Sequence, residues 1–445
     1  MMWKKTFVSI GLIILLFRTG AAYSENVEPV QETPLKLSDC IRTALEKNPT
    51  TRIAQENVVV ARESAGEAKA PYYPELGLQT FYKRWQSHAF LPTLNIPGQH
   101  IPTIVGPTDD WMGGLNARFT LFDSGRRKAD YQGALAKLGA AEEEKARTLQ
   151  DLILAVHQGY YALAAALEIR KVAVENLNLS QDHLRLTQER KEAGAVSKSD
   201  VLRFQVEVSK SRLGLVRSDG QVRTTKANLN TAMGLPAEKP LQIAPAAEEI
   251  NSPDSINIMQ ALDRAVRNRP EVKAAFKRIQ AQQEGVAAAR SAFGPKIRAE
   301  GSYGRHDSNF FPNDEEWLAG IIIEWPLFTG FFRQHRLAKA KAEVLKEEAG
   351  ARQILLQVKD EVMQTYSRLQ ETYEAVQTNK VLVEDARESL RLARERYEAG
   401  AGTVTDLLDA QTDLARSLAL QVQADWEYYL AKAALQRAQG DLVPQ

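Results

Sequence analysis

The stretch that decides the fold is residues 396–410, RYEAGAGTVTDLLDA, which returns in a degenerate form at residues 190–202, RKEAGAVSKSDVL. In both copies a Glu-Ala-Gly-Ala turn is followed by a hydroxyl residue and then by an aspartate. Glycine ends helices because it adopts the left-handed conformation at little cost. Ser or Thr caps the following helix, and Asp is favourable in its first turn. Each copy therefore predicts a tight turn between two helices.

The two turns belong to a duplication that covers most of the chain. Segment 121–234 aligns without gaps on segment 327–440, and segment 37–82 aligns on segment 258–303. Between its two aligned blocks the first copy is the longer one, and its extra residues fall in the proline-rich stretch 90–110, for which we expect a long loop. Similarity at constant offsets over such lengths indicates an internal repeat.

Each repeat is predicted to contain a helix, two strands, a very long helix, a tight turn and a returning helix. For repeat 1 (37–234) we expect helices at about 38–70, 125–193 and 198–233, and strands at about 74–87 and 111–121. For repeat 2 (258–440) we expect helices at about 259–291, 331–399 and 403–439, and strands at about 295–305 and 316–327. A linker is expected at 235–257, and tails are expected at 25–36 and 441–445.

A seven-residue register in the long helix of repeat 2 predicts antiparallel coiled-coil packing in a left-handed supercoil. Its members are Leu355, Val362, Leu369, Val376, Val383, Leu390 and Tyr397. At about 1.5 Å per residue this helix reaches about 100 Å. The returning helix is only half as long, and the helix before the first strand could stack on its end to complete a second rod. A solvated coiled coil without a lumen is the alternative interpretation of the periodicity.

The strands alternate apolar and polar residues; in the last one Trp317, Ala319, Ile321 and Ile323 share a face. Strands of about 9–11 residues with terminal aromatics are typical of transmembrane barrels, which need at least about eight strands to close. Open edges are not tolerated in hydrocarbon, so four strands per chain predict a barrel built from several chains. An amphipathic sheet in a water-exposed domain remains the alternative. The aromatics expected at the membrane interface are Trp111, Phe119, Tyr82, Tyr303, Trp317 and Trp325.

Composition and the amino terminus point to an exported protein. The 57 Lys and Arg residues nearly balance the 56 Asp and Glu residues, which argues against nucleic acid as a partner. Lys4 and Lys5 precede a short apolar run that ends in small residues, so residues 1–24 are predicted to be a signal peptide, with a short membrane anchor as the alternative. We find no apolar run of about 20 residues and expect no membrane-spanning helix.

The sequence contains no recognisable catalytic or metal-binding motif. Its six histidines are dispersed, and Cys40 is its only cysteine. Metal sites and nucleophilic catalysis need such residues at defined spacings. We therefore expect a protein that is not an enzyme and that has no cofactor and no metal site.

With these motifs the chain resembles the TolC-like outer-membrane efflux proteins over essentially its whole mature length. The resemblance rests on the two hairpins, on the proline-containing helix starts at 48–49 and 269–270, and on the strand-to-helix junctions LFDSG (121–125) and PLFTG (326–330). It implies a mainly α fold with a small β part, in which a homotrimer forms a twelve-stranded barrel and a helical tunnel. It also implies an outer-membrane location with the helical body in the periplasm.

The resemblance also implies two sets of functional residues near the hairpins. The periplasmic entrance gate would contain Asp406, Asp409, Arg396 and Tyr397. The tips that receive a periplasmic adaptor protein would contain Gly194, Ala195, Asp200, Gly400, Gly402, Asp406, Leu407 and Leu408. Some family members have an arginine in a closing ion-pair network at the position that Gly402 occupies here, and Arg396 is the residue that could substitute for it.

We therefore expect a passive exit duct that exports small molecules from an inner-membrane pump, through an adaptor and across the outer-membrane lipid. The exit duct of a type I protein secretion system shares this fold and is the first alternative. A periplasmic coiled-coil scaffold, whose strands never enter lipid, is the alternative from another class.

Overall fold

The computed structural model of the protein describes residues 34–88, 104–245 and 249–442. The predicted signal peptide lies outside these residues, as do most of the tail 25–36, part of the expected loop 90–110 and residues 443–445. The described residues form eight α-helices and one four-stranded antiparallel sheet.

The helices alternate between short elements and very long ones. Their bounds are α1 Leu37–Lys47, α2 Pro49–Lys69, α3 Arg126–Glu192, α4 Lys198–Ala232, α5 Ile258–Asn268, α6 Pro270–Ser291, α7 Phe332–Glu398 and α8 Val404–Gln439. Helices α3 and α7 have 67 residues each, which corresponds to a length of about 100 Å. On α7 the heptad residues from Val362 to Val383 are buried, in the seam where α7 packs along α8.

The helices expected at 38–70 and 259–291 are each broken in two, and this corrects the prediction. The breaks fall at Asn48 and Arg269, both in extended conformations and both followed by a proline. Proline has no N–H group and disfavours a helical residue before it, so it starts a new helix instead of continuing the old one. The Asn48 side chain caps α2 by accepting a hydrogen bond from the Thr50 N–H.

Each break is also the joint of a composite rod. Asn48 Nδ2 donates to the Ala232 carbonyl at 2.9 Å, so the end of α4 meets the start of α2. In the second repeat the Arg269 guanidinium donates to the Ala438 carbonyl and joins the end of α8 to the start of α6. The joint requires glycine, because a Cβ on Gly234, whose φ is +72°, would lie 2.5 Å from Asn48 Cα.

The rods form one layer. Helix α3 packs against α4 and α2 and also against α8 and α6, while α7 packs against α8 and α6. The order of the four rods is therefore α7, then α8–α6, then α3, then α4–α2. Within the described residues, α7 and α4–α2 are the two edge rods of the layer.

The sheet has the strand order β1 (Glu75–His88), β2 (Ile104–Phe122), β3 (Lys296–Asp307) and β4 (Asp314–Glu324). Strand β2 begins seven residues earlier than predicted, inside the expected loop 90–110, because its first part pairs with the far end of β1 beyond a register shift. Strand β4 ends before Pro326, which cannot donate to a strand ladder. Trp325 and Leu327 therefore lie beyond the last strand and not in it.

The largest core lies where α1, α3, α4 and α8 meet the linker. It contains Cys40, Tyr160, Tyr161, Tyr428 and Tyr429, as expected for residues that serve in packing. Within the described part of the chain, one 18-residue window of α3 is long and apolar enough to cross a membrane, which the sequence analysis did not expect. Half of that window is buried inside the protein, as in the core helix of a water-exposed body.

Candidate functional site: the hairpin tips and the strand belt

Both hairpin turns have the geometry that their sequences predict. Gly194 and Gly400 follow α3 and α7 with φ values of +76° and +74°, a region that favours glycine. Ser197 and Thr403 then cap α4 and α8 through reciprocal contacts with the aspartate three residues later. The two tips are therefore built in the same way.

Asp406, predicted for both the gate and the adaptor surface, has a structural task in this cap. Its carboxylate accepts from the Thr403 N–H at 3.1 Å, and its own N–H donates to the Thr403 hydroxyl at 3.2 Å. Hydrogen bonds from Thr403, with a smaller contribution from the positive charge of Arg396, lower the pKa of Asp406. Asp406 is therefore ionised and holds the start of α8.

A small apolar core lies directly behind the tips. It is formed by Phe204 of α4, Tyr397 of α7, and Val404 and Leu407 of α8. Tyr397 is 6% exposed and Leu407 is fully buried. The structure thus places a predicted gate residue and a predicted adaptor contact inside the protomer, where they hold the two hairpins together.

Two arginines of the first hairpin reach across to the second. Arg190 donates to the carbonyl oxygens of Tyr397 and Glu398, both at 3.3 Å, and lies over the Tyr397 ring. Arg203 donates to the Thr405 hydroxyl at 2.7 Å. These contacts, which the sequence reasoning missed, tie the hairpins together. Arg396, the expected substitute, is exposed.

Gly402 lies in a tight part of the second turn. A Cβ there would lie 3.0 Å from the Tyr397 backbone nitrogen, so a larger residue requires the turn to shift. The predicted tip residues Gly194, Ala195 and Gly400 are exposed, whereas Asp200, Gly402 and Leu408 are half-buried.

A groove of about 450 Å³ opens between α4 and α8 beside the tips. Its lining combines apolar side chains, including Leu202 and Leu408, with charged ones, including Arg203 and Asp409. Asp409 is exposed, unlike Tyr397, and it is the predicted gate acid that the α8 cap does not use. The groove therefore presents both apolar and charged contacts at the protein surface beside the tips.

The sheet has one continuous apolar face. Cross-strand neighbours on it include Leu78, Leu115, Tyr303 and Trp317 in one row. In the next aromatic row Tyr82 stacks on Trp111 with ring centroids 4.3 Å apart. Four of the predicted interface aromatics therefore lie together, towards the end of the sheet far from the helices.

The other two predicted aromatics lie at the helix end. Phe119 is half-buried in β2, and Trp325, just past β4, donates from its indole nitrogen to the Phe293 carbonyl at 3.1 Å. The prediction missed a set of exposed apolar residues, which comprises Leu76, Leu78, Phe310, Phe311, Phe328, Phe331 and Phe332. Alternation could have revealed the two leucines, but the phenylalanines lie outside the strands.

The opposite face of the sheet carries most of its ion pairs, together with apolar side chains such as Phe81, Trp85 and Leu318. Lys83 pairs with Asp110 at 2.8 Å. His306 contacts the same carboxylate and also Glu316, the latter at 3.2 Å. Nearer the helices Arg298 pairs with Glu324. One apolar face and one charged face suit a sheet between lipid and water.

Within the described residues no group of three or more His, Cys, Asp and Glu side chains is placed to hold a metal ion. Cys40 is buried, and burial raises the pKa of its thiol to about 12, with a smaller contribution from Asp39. The thiol is therefore protonated and inert at neutral pH.

Comparison with known proteins agrees with this geometry. The sequence profile of the family described as "Outer membrane efflux protein" matches residues 40–235 and 261–441. "Protein CyaE" of Bordetella pertussis is 27% identical over 383 residues, which are 85% of this chain and 78% of that protein. "Pyoverdine export outer membrane protein OpmQ" of Pseudomonas aeruginosa is 25% identical over 411 residues, 91% of this chain and 85% of that one.

The same fold is found in solved channels. The outer membrane protein VceC of Vibrio cholerae superposes with a TM-score of 0.77 at 20% identity, covering 91% of this chain and 96% of that one. The fold and the family profile are those of TolC-like outer-membrane channels and not of enzymes. The chain therefore belongs to the outer membrane efflux protein family, and it is located in the outer membrane with its helical body in the periplasm.

Proposed function

We propose that three copies of this chain form a passive exit duct, a twelve-stranded barrel continued by a helical tunnel, for small molecules delivered by an inner-membrane pump. The observation that carries the proposal is that one protomer leaves both edges of its helical layer and both edges of its sheet unpaired. In addition, the two helical edges expose apolar side chains at equal distances from the hairpin tips.

The match can be followed along the edge rods. Helix α4 exposes a stripe formed by Leu202, Val206, Leu213 and Val216, and α7 exposes Leu392 and Val381. Leu202 and Leu392 each lie eight residues from the tip glycine of their hairpin, and Leu213 and Val381 each lie nineteen residues from it. Helix α4 starts at the tips and α7 ends there, so residues at equal distances from the two glycines lie at equal heights. Where α4 of one copy meets α7 of the next, these side chains would therefore be neighbours.

The upper halves of the rods continue the pattern. Ile53 and Val60 are exposed on α2, and Leu356 and Leu345 are exposed on α7. Burying a large apolar side chain contributes about 1.5–3 kcal/mol, so a ring of copies stabilises these stripes along its whole length. The sheet needs the same closure, because the edges of β1 and β4 are not tolerated in hydrocarbon.

The architecture supports a continuous path from the periplasm through the outer membrane. The polar face of the sheet would line the barrel, and the helical layer would continue that lumen into the periplasm. The hairpin tips then form the entrance, where the groove between α4 and α8 offers a surface to a periplasmic adaptor. The relative OpmQ is described as a pyoverdine export protein, which supports a small molecule as the exported class.

Disulfide crosslinking tests the ring. Leu213→Cys combined with Val381→Cys should give oxidised species of up to three chains on denaturing gels, because Cys40 is buried and does not compete. Leu213→Cys with Leu356→Cys, which differ greatly in distance from the tips, should not crosslink. Purified oligomer should also conduct in planar bilayers. A crosslinked ring without any conductance would favour the periplasmic scaffold and refute the duct.

A further inference from the structure

The loop between β3 and β4 carries two of the most exposed aromatic side chains of the described residues. Phe310 is 62% exposed and Phe311 is 77% exposed. Phe310 packs edge-on against Trp111 with ring centroids 4.7 Å apart, and Phe311 packs edge-on against Phe310 at 4.8 Å. With Tyr82 on the other side of Trp111, the four rings form a continuous aromatic chain.

The row of four aromatic rings lies on the apolar side of the sheet. Trp111 and Tyr82 face the side that also carries Leu115 and Leu78, because each pair is four residues apart along one strand. At the same height the opposite face carries the charges of Lys83 and Asp110. A loop that contacts Trp111 thus folds outwards over the apolar face and not across the polar interior.

Hydrogen bonds mark where the apolar face ends. The Tyr82 hydroxyl donates to Asp109 at 3.0 Å, and the Tyr303 hydroxyl donates to Glu315 at 3.0 Å. Tyrosines of this kind are enriched where hydrocarbon meets the headgroup region, since the ring is apolar and the hydroxyl is wet. Phenylalanine has no polar end, so Phe310 and Phe311 gain nothing from water at this level.

We propose that Phe310 and Phe311 insert into the outer leaflet of the outer membrane and anchor the β3–β4 loop to lipid. The inference rests on the proposed function, in which this sheet spans the membrane. Lipid is the occupant because the two rings continue the lipid-facing row of Trp111 and Tyr82 without a break. Each copy would contribute one such anchor, so a trimer would be held at three points around its rim.

Site-directed fluorescence tests the anchor in the full-length protein. Phe311→Cys is labelled with bimane and reconstituted into phosphatidylcholine vesicles that contain a doxyl-labelled lipid, with aqueous iodide as the competing quencher. Because Cys40 is buried, the label reports on one site. The matched control is Asn309→Cys, which lies two residues away in the polar part of the same loop. Ile321→Cys, in the middle of the apolar face, reports whether the sheet itself is in lipid.

The anchor predicts strong doxyl quenching and weak iodide quenching at position 311, with less doxyl quenching and intermediate iodide quenching at position 309. If position 321 is quenched by doxyl lipid while 311 is quenched by iodide, the sheet spans the membrane and the anchor is wrong. If position 311 is shielded from both quenchers, protein covers the ring and the anchor is also wrong. Iodide quenching at both 321 and 311 would instead overturn the proposed function.

A second variant removes the rings without a bulky apolar label. Phe310→Ser combined with Phe311→Ser, labelled at position 309, should show greater iodide quenching than the same label beside the native rings. Doxyl quenching at position 321 in the same double variant verifies that the sheet has folded into the bilayer. Unchanged iodide quenching at 309 would show that the rings do not hold the loop near lipid.

Discussion

Arg190 of α3 donates to the carbonyl oxygen of Tyr397 at 3.3 Å, and its guanidinium lies 5.3 Å from the centroid of the Tyr397 ring. The contact joins the last turn of α3 to the last turn of α7. An arginine at the position of Gly402 would have placed a positive charge on the second hairpin. Here the positive charge beside Tyr397 is that of Arg190, which belongs to the first hairpin. The link between the hairpins is therefore an arginine bound to backbone carbonyls and to a buried ring.

We predict that Arg190→Gln makes the periplasmic entrance easier to open. A hydrogen bond from a charged donor contributes about 1.5–3 kcal/mol, and 1.4 kcal/mol corresponds to a tenfold change in an equilibrium. The ratio of open to closed channels should therefore rise by about ten- to hundredfold, measured as longer open times in single-channel recordings. Lys191→Gln, which neutralises the exposed neighbouring residue, should behave as the unmodified protein. Equal open times of the two variants would rule out this role for Arg190.

Asp409 and Asp406, the two aspartates of the second tip, should have different functions. Asp409→Asn should weaken block by a trivalent cation on the periplasmic side, because the proposed trimer would bring three exposed carboxylates to the entrance, where they would attract cations. Exposed Asp413→Asn, one turn further from the tip, is the matched control and should retain the block. If the block is the same in both variants, Asp409 does not belong to the entrance.

Asp406 is expected to act mainly on stability. Asp406→Ala removes the carboxylate that accepts from the Thr403 N–H but keeps the bond from the residue 406 N–H to the Thr403 hydroxyl. The loss of one hydrogen bond should cost about 0.5–1.5 kcal/mol at the start of α8. Thermal unfolding of the detergent-solubilised protein should detect this loss. Asp406→Asn should recover part of it, because asparagine also accepts backbone hydrogen bonds. A variant Asp406→Ala as stable as the unmodified protein would contradict the role of the cap.

The sequence predicted the hairpins well because each depends on local chemistry. Gly400 ends α7, and Thr403 with Asp406 starts α8, whatever else surrounds them. The proline-containing helix start at 48–49 was also visible in the sequence, but the helix bounds of 38–70 ran across it and so treated α1 and α2 as one helix. Local rules therefore located the turns more reliably than the joints of the composite rods.

The hairpin tips contain contacts that the sequence pattern alone cannot predict. Tyr397 belongs to the heptad register, which predicts burial, and also to the family motif, which implies a gate residue. The packing of Phe204 against its ring shows that it is buried behind the tips. The partner of Arg190 is 207 positions away in the chain, so no spacing rule connects the two. Phe310 and Phe311 were missed for another reason, because loop residues show no alternation from which a lipid-facing side could be read.

His183 should make the helical body sensitive to mild acid. It is buried beneath the tip core, with its ring 5.9 Å from that of Phe204. Burial and the positive charge of Arg394 lower its pKa, while Asp182 and Glu398 partly oppose that shift. The folded protein thus favours neutral His183, so its contribution to stability is complete above the ordinary histidine pKa of about 6.5.

That contribution should be lost as the pH falls from about 6.5 towards the lowered pKa of the folded state. The unmodified protein should accordingly lose more thermal stability between neutral pH and pH about 5 than the variant His183→Leu, which cannot take up a proton. His335→Leu replaces an exposed histidine of α7 and should leave the pH dependence unchanged. If thermal stability changes with pH in the same way for the unmodified protein and His183→Leu, protonation of His183 is not the cause of the acid sensitivity.

The joint of the second composite rod should be the most sensitive ionic site of the helical body. Arg437 of α8 contacts Asp151 of α3 and Glu361 of α7, both at 2.6 Å, and Glu271 of α6 at 3.0 Å. Glu361 and Glu271 also pair with Arg269, which is 3% exposed. Burial on its own would raise the pKa of Glu271, but Arg269 and Arg437 outweigh it and lower the pKa.

Arg437→Gln should therefore destabilise the protein by about 1.5–3 kcal/mol, because it removes charge-assisted hydrogen bonds to three carboxylates. The cost stays below that of a fully buried pair, since Glu271 and Glu361 keep Arg269 and Asp151 is 45% exposed. Arg416→Gln, at an exposed position of the same helix, should cost no more than about 0.5 kcal/mol. Unfolding in denaturant at neutral pH compares the two variants. At a pH where Glu271 is protonated, the two variants should differ less in their free energy of unfolding, since a neutral carboxyl group no longer attracts the Arg437 charge. A cost for Arg437→Gln as small as that for Arg416→Gln would show that α3, α7 and the α8–α6 rod are held together without this joint.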